Sequence, residues 1–369
     1  MNIKELKELD TPCLVIDLDK LKENLQVMQE YATQVRVAVR PHCKTHKCSR
    51  IAKLQIEAGA IGISAAKLSE AEQLIEQGIR NVLITSPIVS APKLSRLVRC
   101  LEKAPELLLV LDNPQNAEAL NQLGQALNQP IQVLIDLDPG IGRTGVHPNA
   151  ALDFAHLLQK KSWLHVQGIQ CYAGNLQHIS NYQERKALSL KTMEMASEIF
   201  RSLKPLFPEF HILTGSGTGT FDIDPEASEV TEIQPGSYTV MDVQYECIGS
   251  KRDPQHFNRF RNTLTLLSTV ISSNRTEHVT VDAGTKAIYF DPNYKPRLIS
   301  HPHLTYDWGG FGDEHGKITG SGSLPGNGEV IEMVVPHCDP TINLYDQFVI
   351  VQNNEVIDVW DIDLRGKSQ

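Results

Sequence analysis

Apolar positions along the chain gather into short aliphatic or β-branched runs, separated by longer stretches with helical spacing. Eight such runs lie before residue 245, at 35–40, 61–65, 81–86, 107–112, 131–138, 166–171, 210–213 and 231–240. The first seven are near-continuously apolar or tightly punctuated, the pattern of parallel strands buried on both faces. The eighth, TEIQPGSYTV, is the most interrupted. Helical periodicity fills the gaps. Residues 17–33 carry Leu18, Leu21, Leu25 and Met28 on one face, and 67–78 carry Leu68, Ala71 and Leu74 before a stop at Gly78. Residues 114–127, 149–160 and 181–204 read the same way. Eight alternations of strand and helix predict an α/β chain folded as a (β/α)8 TIM barrel. A doubly wound open sheet calls for a glycine-rich dinucleotide loop after the first strand. Here that position reads Pro41-His42-Cys43-Lys44.

Beyond residue 245 the pattern changes. Segments 262–271, 277–282, 329–335, 346–351 and 356–360 are strand-like, with turn residues between them and no long helical pattern. The division expected is a barrel over 11–245 and a smaller C-terminal β domain over 246–369, with residues 1–10 candidates to pack against the latter.

Composition narrows the function. The 369 residues are 41% hydrophobic and 21% charged, with a formal net charge of −9 and no long Lys/Arg run, so nucleic acid and anionic membrane are poor partners. No apolar run approaches the ~18 residues of a membrane span. Met1 to Asp10 is polar, with no apolar signal region behind it. The seven cysteines are scattered and form no CxxC pair, as expected of reduced thiols in a cytoplasm.

In a barrel, chemistry gathers where strands end. The first run leads into Arg40-Pro41-His42-Cys43-Lys44-Thr45-His46-Lys47. A lysine leaving a barrel core can be desolvated, which frees its amine for Schiff-base formation; a solvated loop is the bland alternative. The fifth run leads to Arg143 among glycines, suited to an anionic or phenolic oxygen or to an incidental turn. The sixth leads to Tyr172 and His178, the latter in the pKa range of a general base. The seventh leads to Gly215, Ser216, Gly217 and Thr218, whose N–H groups and hydroxyls suit a phosphate monoester. In the C-terminal part, His337 and Asp339 stand two apart and, if the segment is extended, share one side. One imidazole and one carboxylate suit a hydrated divalent ion such as Mn²⁺ or Mg²⁺.

These segments together resemble the D-threonine aldolase and D-serine dehydratase family, pyridoxal-phosphate enzymes with the alanine-racemase-like barrel. The likeness spans most of the chain. It begins at Asp10-Thr11-Pro12-Cys13-Leu14-Val15-Ile16-Asp17, is most specific at 40–47, and continues through Gln234-Pro235-Gly236-Ser237-Tyr238 and Met241-Asp242. The resemblance implies Lys44, over Lys47, as the Schiff-base residue, and His178 as catalytic base. It implies Arg143, Tyr172, Gly215, Ser216, Gly217, Thr218 and Tyr238 at the cofactor. Within the family, His-Cys-Asp-Pro-Thr marks the aldolase branch, with metal on His and Asp, whereas the dehydratase branch uses His-x-Cys. Residues 337–341 read His-Cys-Asp-Pro-Thr, which implies the aldolase branch, metal on His337 and Asp339, and Mn²⁺ foremost.

The activity so implied is retro-aldol cleavage of D-threonine and other β-hydroxy-D-amino acids to glycine and an aldehyde. Dehydration of D-serine or 3-hydroxy-D-aspartate needs a similar constellation and stays open. A non-catalytic pyridoxal-phosphate carrier would need no metal pair and no second domain. Racemization needs a two-base arrangement that is not located. Relatives of this barrel type also imply a homodimer.

Overall fold

The structure, a computed structural model, describes residues 6–369, so residues 1–5 of the expected 1–10 segment lie outside the described part. Its residues cluster into two compact units. Among the described residues, one comprises 28–44, 51–236 and 367–369; the other comprises 6–27, 45–50 and 237–366.

The larger unit is the barrel. Its eight parallel strands are Ala38–Val39, Ile63–Ala65, Val82–Ile84, Leu108–Leu111, Ile131–Asp136, Leu164–Cys171, Ile212–Gly215 and Glu232–Ile233; each overlaps one apolar run read from the sequence, the sixth beginning two residues before its run and the seventh ending two residues beyond it. The second through eighth pair consecutively, and the eighth pairs with the first. A parallel bridge between His42 and Ser64 joins the first strand's end to the second strand. Cys43 N–H donates to Ser64 O at 2.9 Å, and Ser64 N–H donates to Pro41 O at 2.9 Å. These bonds close the ring one residue short of Lys44.

The interior is apolar because the runs are. Leu83, Leu108, Val110, Leu134 and Ile212 form a buried cluster, each side chain worth about 1.5–3 kcal/mol of burial. Helices Leu68–Glu76, Ala91–Lys103, Pro114–Leu127, Ala151–Leu158 and Tyr182–Leu203 return the chain between strands. Local chemistry starts them. The Asn113 side chain accepts from Gln115 N–H at 2.8 Å with Pro114 at the first helical position, and Asn181 accepts from Glu184 N–H at 3.0 Å.

The eighth strand is shorter than its run. Extended pairing stops at Ile233, because Pro235 has no N–H to give a ladder and the chain turns into a 3-10 helix at Ser237–Thr239.

The second unit is a nine-stranded sheet, antiparallel except for one parallel pair. At its centre lies Cys13–Asp17, which falls inside the span 11–245 expected for the barrel. It pairs antiparallel with Leu264–Ser272 and parallel with Gln347–Gln352. The strand is apolar on both faces: Leu14 and Ile16 are fully buried, while Val15 packs with Leu267 and Val351 beneath Leu6 and Leu9. Among the described residues no helix is long and apolar enough to cross a membrane. All seven cysteines are free thiols.

Candidate active site

A cavity of about 590 Å³ opens in the barrel unit, walled by residues that leave the C-terminal ends of its strands. Lys44, Arg143 and Tyr172 all line it. The Lys44 Nζ stands 5.9 Å from the Tyr172 ring centroid, and the Arg143 guanidinium carbon stands 5.6 Å from the same ring. The structure thus brings two of the expected cofactor residues, both cationic, to the ring of a third.

Lys44 is held through its backbone. Its N–H donates to His42 Nδ1 at 3.2 Å. In a neutral imidazole that leaves the ring proton on Nε2, which lies 3.2 Å from Thr85 Oγ1. The Thr85 hydroxyl in turn reaches Ala65 O at 3.2 Å. Buried His42 therefore braces the lysine turn against the ends of the second and third strands.

The Arg143 loop is built by two carboxylates. Asp138 Oδ1 accepts N–H groups from Gly140, Ile141 and Gly142 at 2.9, 2.9 and 3.0 Å. Asp112 Oδ2 accepts Gly145 N–H at 3.0 Å. Glycine is needed at 145, where φ is +106° and a Cβ would stand 2.4 Å from Asp138 N. Beneath the loop, buried Asp136 accepts from Thr144 Oγ1 at 2.7 Å and from Gln170 Nε2 at 2.9 Å. Burial pushes the Asp136 carboxyl up to about 6, against the pull of those two bonds and of Arg143. The reading of the sequence missed Asp136 and Gln170. The available signal was a polar residue near the C-terminal end of each strand, where a barrel places its chemistry.

The glycine-rich segment follows the seventh strand and is buried throughout, with Ser216 at φ +69°. Its glycines answer to close packing. A Cβ at Gly215 would meet Cys171 O at 2.1 Å, one at Gly217 would meet Gln177 Oε1 at 2.5 Å, and one at Gly219 would meet Gln177 O at 2.1 Å. Gly219 N–H donates to Gln177 Oε1 at 3.0 Å. The fully buried Arg185 donates from Nε to Gly219 O at 2.8 Å and from Nη1 to Ile179 O. Behind the loop, Thr220 Oγ1 and Ser189 Oγ both donate to Asp224, whose complete burial raises its carboxyl to about 6. His178 is exposed on the loop after the sixth strand, next to the Ile179 that Arg185 grips.

Tyr238, His337 and Asp339 belong to the second unit. Tyr238 is buried, edge-on to Phe260 at 5.5 Å. The segment holding His337 and Asp339 is not a strand, which corrects the geometry argued from the sequence. His337 is the extended N-cap of a short helix, Cys338–Ile342, and Asp339 lies in its first turn. Pro340 is tolerated there because a first helical turn needs no N–H from it, and Thr341 Oγ1 donates back to His337 O at 2.8 Å. Two-residue alternation therefore does not relate the pair. Ligand atoms of Asp242, His337 and Cys338 lie within 4.8 Å of one another. The Cys338 thiol donates to Asp339 Oδ1 at 3.4 Å. Burial and the neighbouring carboxylates push that thiol well up, so it is a poor source of thiolate in this setting.

The donor chemistry fits both groups the family implies. An amine near an aromatic ring with a guanidinium beside the same ring suits pyridoxal phosphate, and an imidazole with a carboxylate and a thiol close by suits a divalent cation.

Comparison with known proteins agrees with this fold. The alanine racemase N-terminal domain family matches residues 16–243, and a serine dehydratase domain family matches 263–351. A D-threonine aldolase of Arthrobacter sp is 34% identical over 99% of this chain and 95% of its own length. A 3-hydroxy-D-aspartate aldolase of Paracoccus denitrificans is 32% identical over 98% of this chain and 93% of its own. The crystal structure of D-threonine aldolase from Filomicrobium marinum superposes with a TM-score of 0.93 at 31% identity, covering 100% of this chain and 99% of that one. With an alanine-racemase-like barrel, a C-terminal β unit and likeness along its whole length to two aldolases, the chain belongs to the D-threonine aldolase and D-serine dehydratase family, on its carbon–carbon lyase side.

Proposed function

We propose that this protein cleaves β-hydroxy-D-amino acids, D-threonine foremost, into glycine and an aldehyde. The observation that carries the reading is His-Cys-Asp-Pro-Thr at 337–341 in a chain similar over its whole length to two aldolases. Lys44 would hold pyridoxal phosphate, with Arg143, Tyr172, Gly215, Ser216, Gly217, Thr218 and Tyr238 around it. His337 and Asp339 would hold a divalent cation, Mn²⁺ by preference. When bound, the cofactor supplies an electron sink at the substrate Cα, and the cation supplies Lewis acidity at the β-oxygen.

The chain's own residues do the rest. An imidazole nitrogen of His178 accepts the proton of the β-hydroxyl, the event that lets the Cα–Cβ bond break. His42 and Thr85 keep the Lys44 turn in place, and Asp138 and Asp112 keep the Arg143 loop rigid, so neither cation has to be ordered during the reaction.

Dehydration is the second reading, favoured by the match of residues 263–351 to the dehydratase domain family. Product analysis with D-threonine separates the two. Protein supplemented with pyridoxal phosphate and Mn²⁺ should release glycine and acetaldehyde in equal amounts. Release of 2-oxobutanoate and ammonia would overturn the aldolase reading in favour of dehydration. Bound cofactor with neither product, from D-threonine or from 3-hydroxy-D-aspartate, would favour a carrier.

A further inference from the structure

We propose that Asp242 is the positioning residue of the cation site, setting which nitrogen of His337 binds the metal. The inference rests on the reading that His337 and Asp339 hold a divalent cation.

Asp242 is fully buried, and three N–H groups converge on its carboxylate. Its Oδ2 accepts from His337 Nδ1 at 3.0 Å and from Cys338 N–H at 2.9 Å. Its Oδ1 accepts from Tyr245 N–H at 2.9 Å, capping the helix Val243–Glu246. A carboxylate only accepts, so the ring proton of neutral His337 sits on Nδ1 and its lone pair on Nε2. A carboxylate behind the imidazole also raises the basicity of the opposite nitrogen. The His337 and Tyr289 rings meet in a T-shaped arrangement, 71° between planes, with centroids 6.2 Å apart.

The backbone delivers Asp242 at some cost. Met241 takes φ +59°, a left-handed conformation disfavoured for a long side chain, with its N–H on Ser237 O at 2.7 Å. The same turn starts at Ser237, whose hydroxyl reaches Asp339 Oδ1 at 3.4 Å. One short segment, 237–242, thus touches both residues of the proposed cation pair, 95 positions away from His337 along the chain at its Asp242 end. Asp242 lies close enough to His337 and Cys338 to be a ligand itself. The three N–H bonds decide against that role, since a cation taking either oxygen would compete with the helix cap or with the His337 and Cys338 donors.

The test is Mn²⁺ titration of chelator-treated, cofactor-loaded protein, following free Mn²⁺ by electron paramagnetic resonance. Asp242→Asn should weaken Mn²⁺ binding about 10–100-fold, while pyridoxal phosphate affinity, read from its visible absorbance, stays unchanged. Mn²⁺ affinity within about threefold of the wild type would overturn the proposal. Loss of binding as complete as in His337→Ala would overturn it too, by making Asp242 a ligand. Wild-type affinity in both His337→Ala and Asp339→Ala would instead sink the cation pair itself. Because Asp242 also caps a helix, the wild-type protein offers a second measurement. In ¹⁵N-histidine spectra, with His337 assigned by substitution, Nδ1 should be protonated and Nε2 should shift on adding Zn²⁺. A shift at Nδ1 would overturn the assignment.

Discussion

Replacing Gly219 by alanine tests whether the glycine-rich loop is a rigid cradle. An added Cβ would lie 2.1 Å from Gln177 O, where ordinary contact begins at 3.4 Å, so the loop must move by more than an ångström. Gly219 is not held by a left-handed φ, so the cost is one of space rather than of backbone preference. The shift breaks the Gly219 N–H bond to Gln177 Oε1 at 3.0 Å and the Arg185 Nε bond to Gly219 O at 2.8 Å. A neutral bond is worth about 0.5–1.5 kcal/mol and one from a charged donor about 1.5–3. Together they set a penalty of about 2–4.5 kcal/mol, or roughly 30- to 1500-fold in an equilibrium constant. If the loop grips the cofactor phosphate, that penalty appears in pyridoxal phosphate affinity, measured by absorbance titration of the apoprotein. Urea unfolding of the same variant reports the packing cost. Affinity within about threefold of the wild type, with unchanged stability, would refute the packing argument. Lost stability with unchanged affinity would leave the packing and remove the grip.

Lys44→Ala should abolish the visible absorbance of bound pyridoxal phosphate, and a borohydride-reducible linkage retained at another lysine would move the assignment. His178→Ala should slow D-threonine cleavage by about 10²–10⁴, measured as acetaldehyde release, if its imidazole takes the hydroxyl proton; a loss under about threefold would remove it from that role. Asp136→Asn should change the pH dependence of stability. The folded carboxyl sits at about 6 against 3.8 for the ordinary group, so its contribution is full below 3.8 and is lost as pH rises through 6. Between pH 4 and pH 7 the wild type should therefore lose about 2 kcal/mol relative to the variant in urea unfolding; parallel curves would show that the carboxyl is not raised.

Most of the barrel strands were legible because strands buried on both faces are largely apolar, and that constraint is local. Lys44, Arg143 and Tyr172 were legible because a barrel puts chemistry just past its strand ends. Other features were not. Cys13–Asp17 has the same apolar composition as a barrel strand, and only its pairing with Leu264–Ser272 and Gln347–Gln352 assigns it to the other sheet. The apolar residues of 231–240 hid an early stop, set by Pro235 and the following turn. The extended geometry assumed for His337 and Asp339 gave way to a helix that Pro340 can begin but not extend further inward.

The sequence by itself determined the order of the barrel strands, the residue types available for chemistry, and the family, since each depends on neighbours along the chain or on short motifs. Tertiary structure alone decided which polar groups support them. Asp136 meets Gln170, Arg185 joins Gly219 to Ile179, and Asp242 meets His337, all across separations that no periodicity encodes. Hydrogen bonds act through space over about 3 Å, and only the folded chain brings residues so far apart in sequence within that reach.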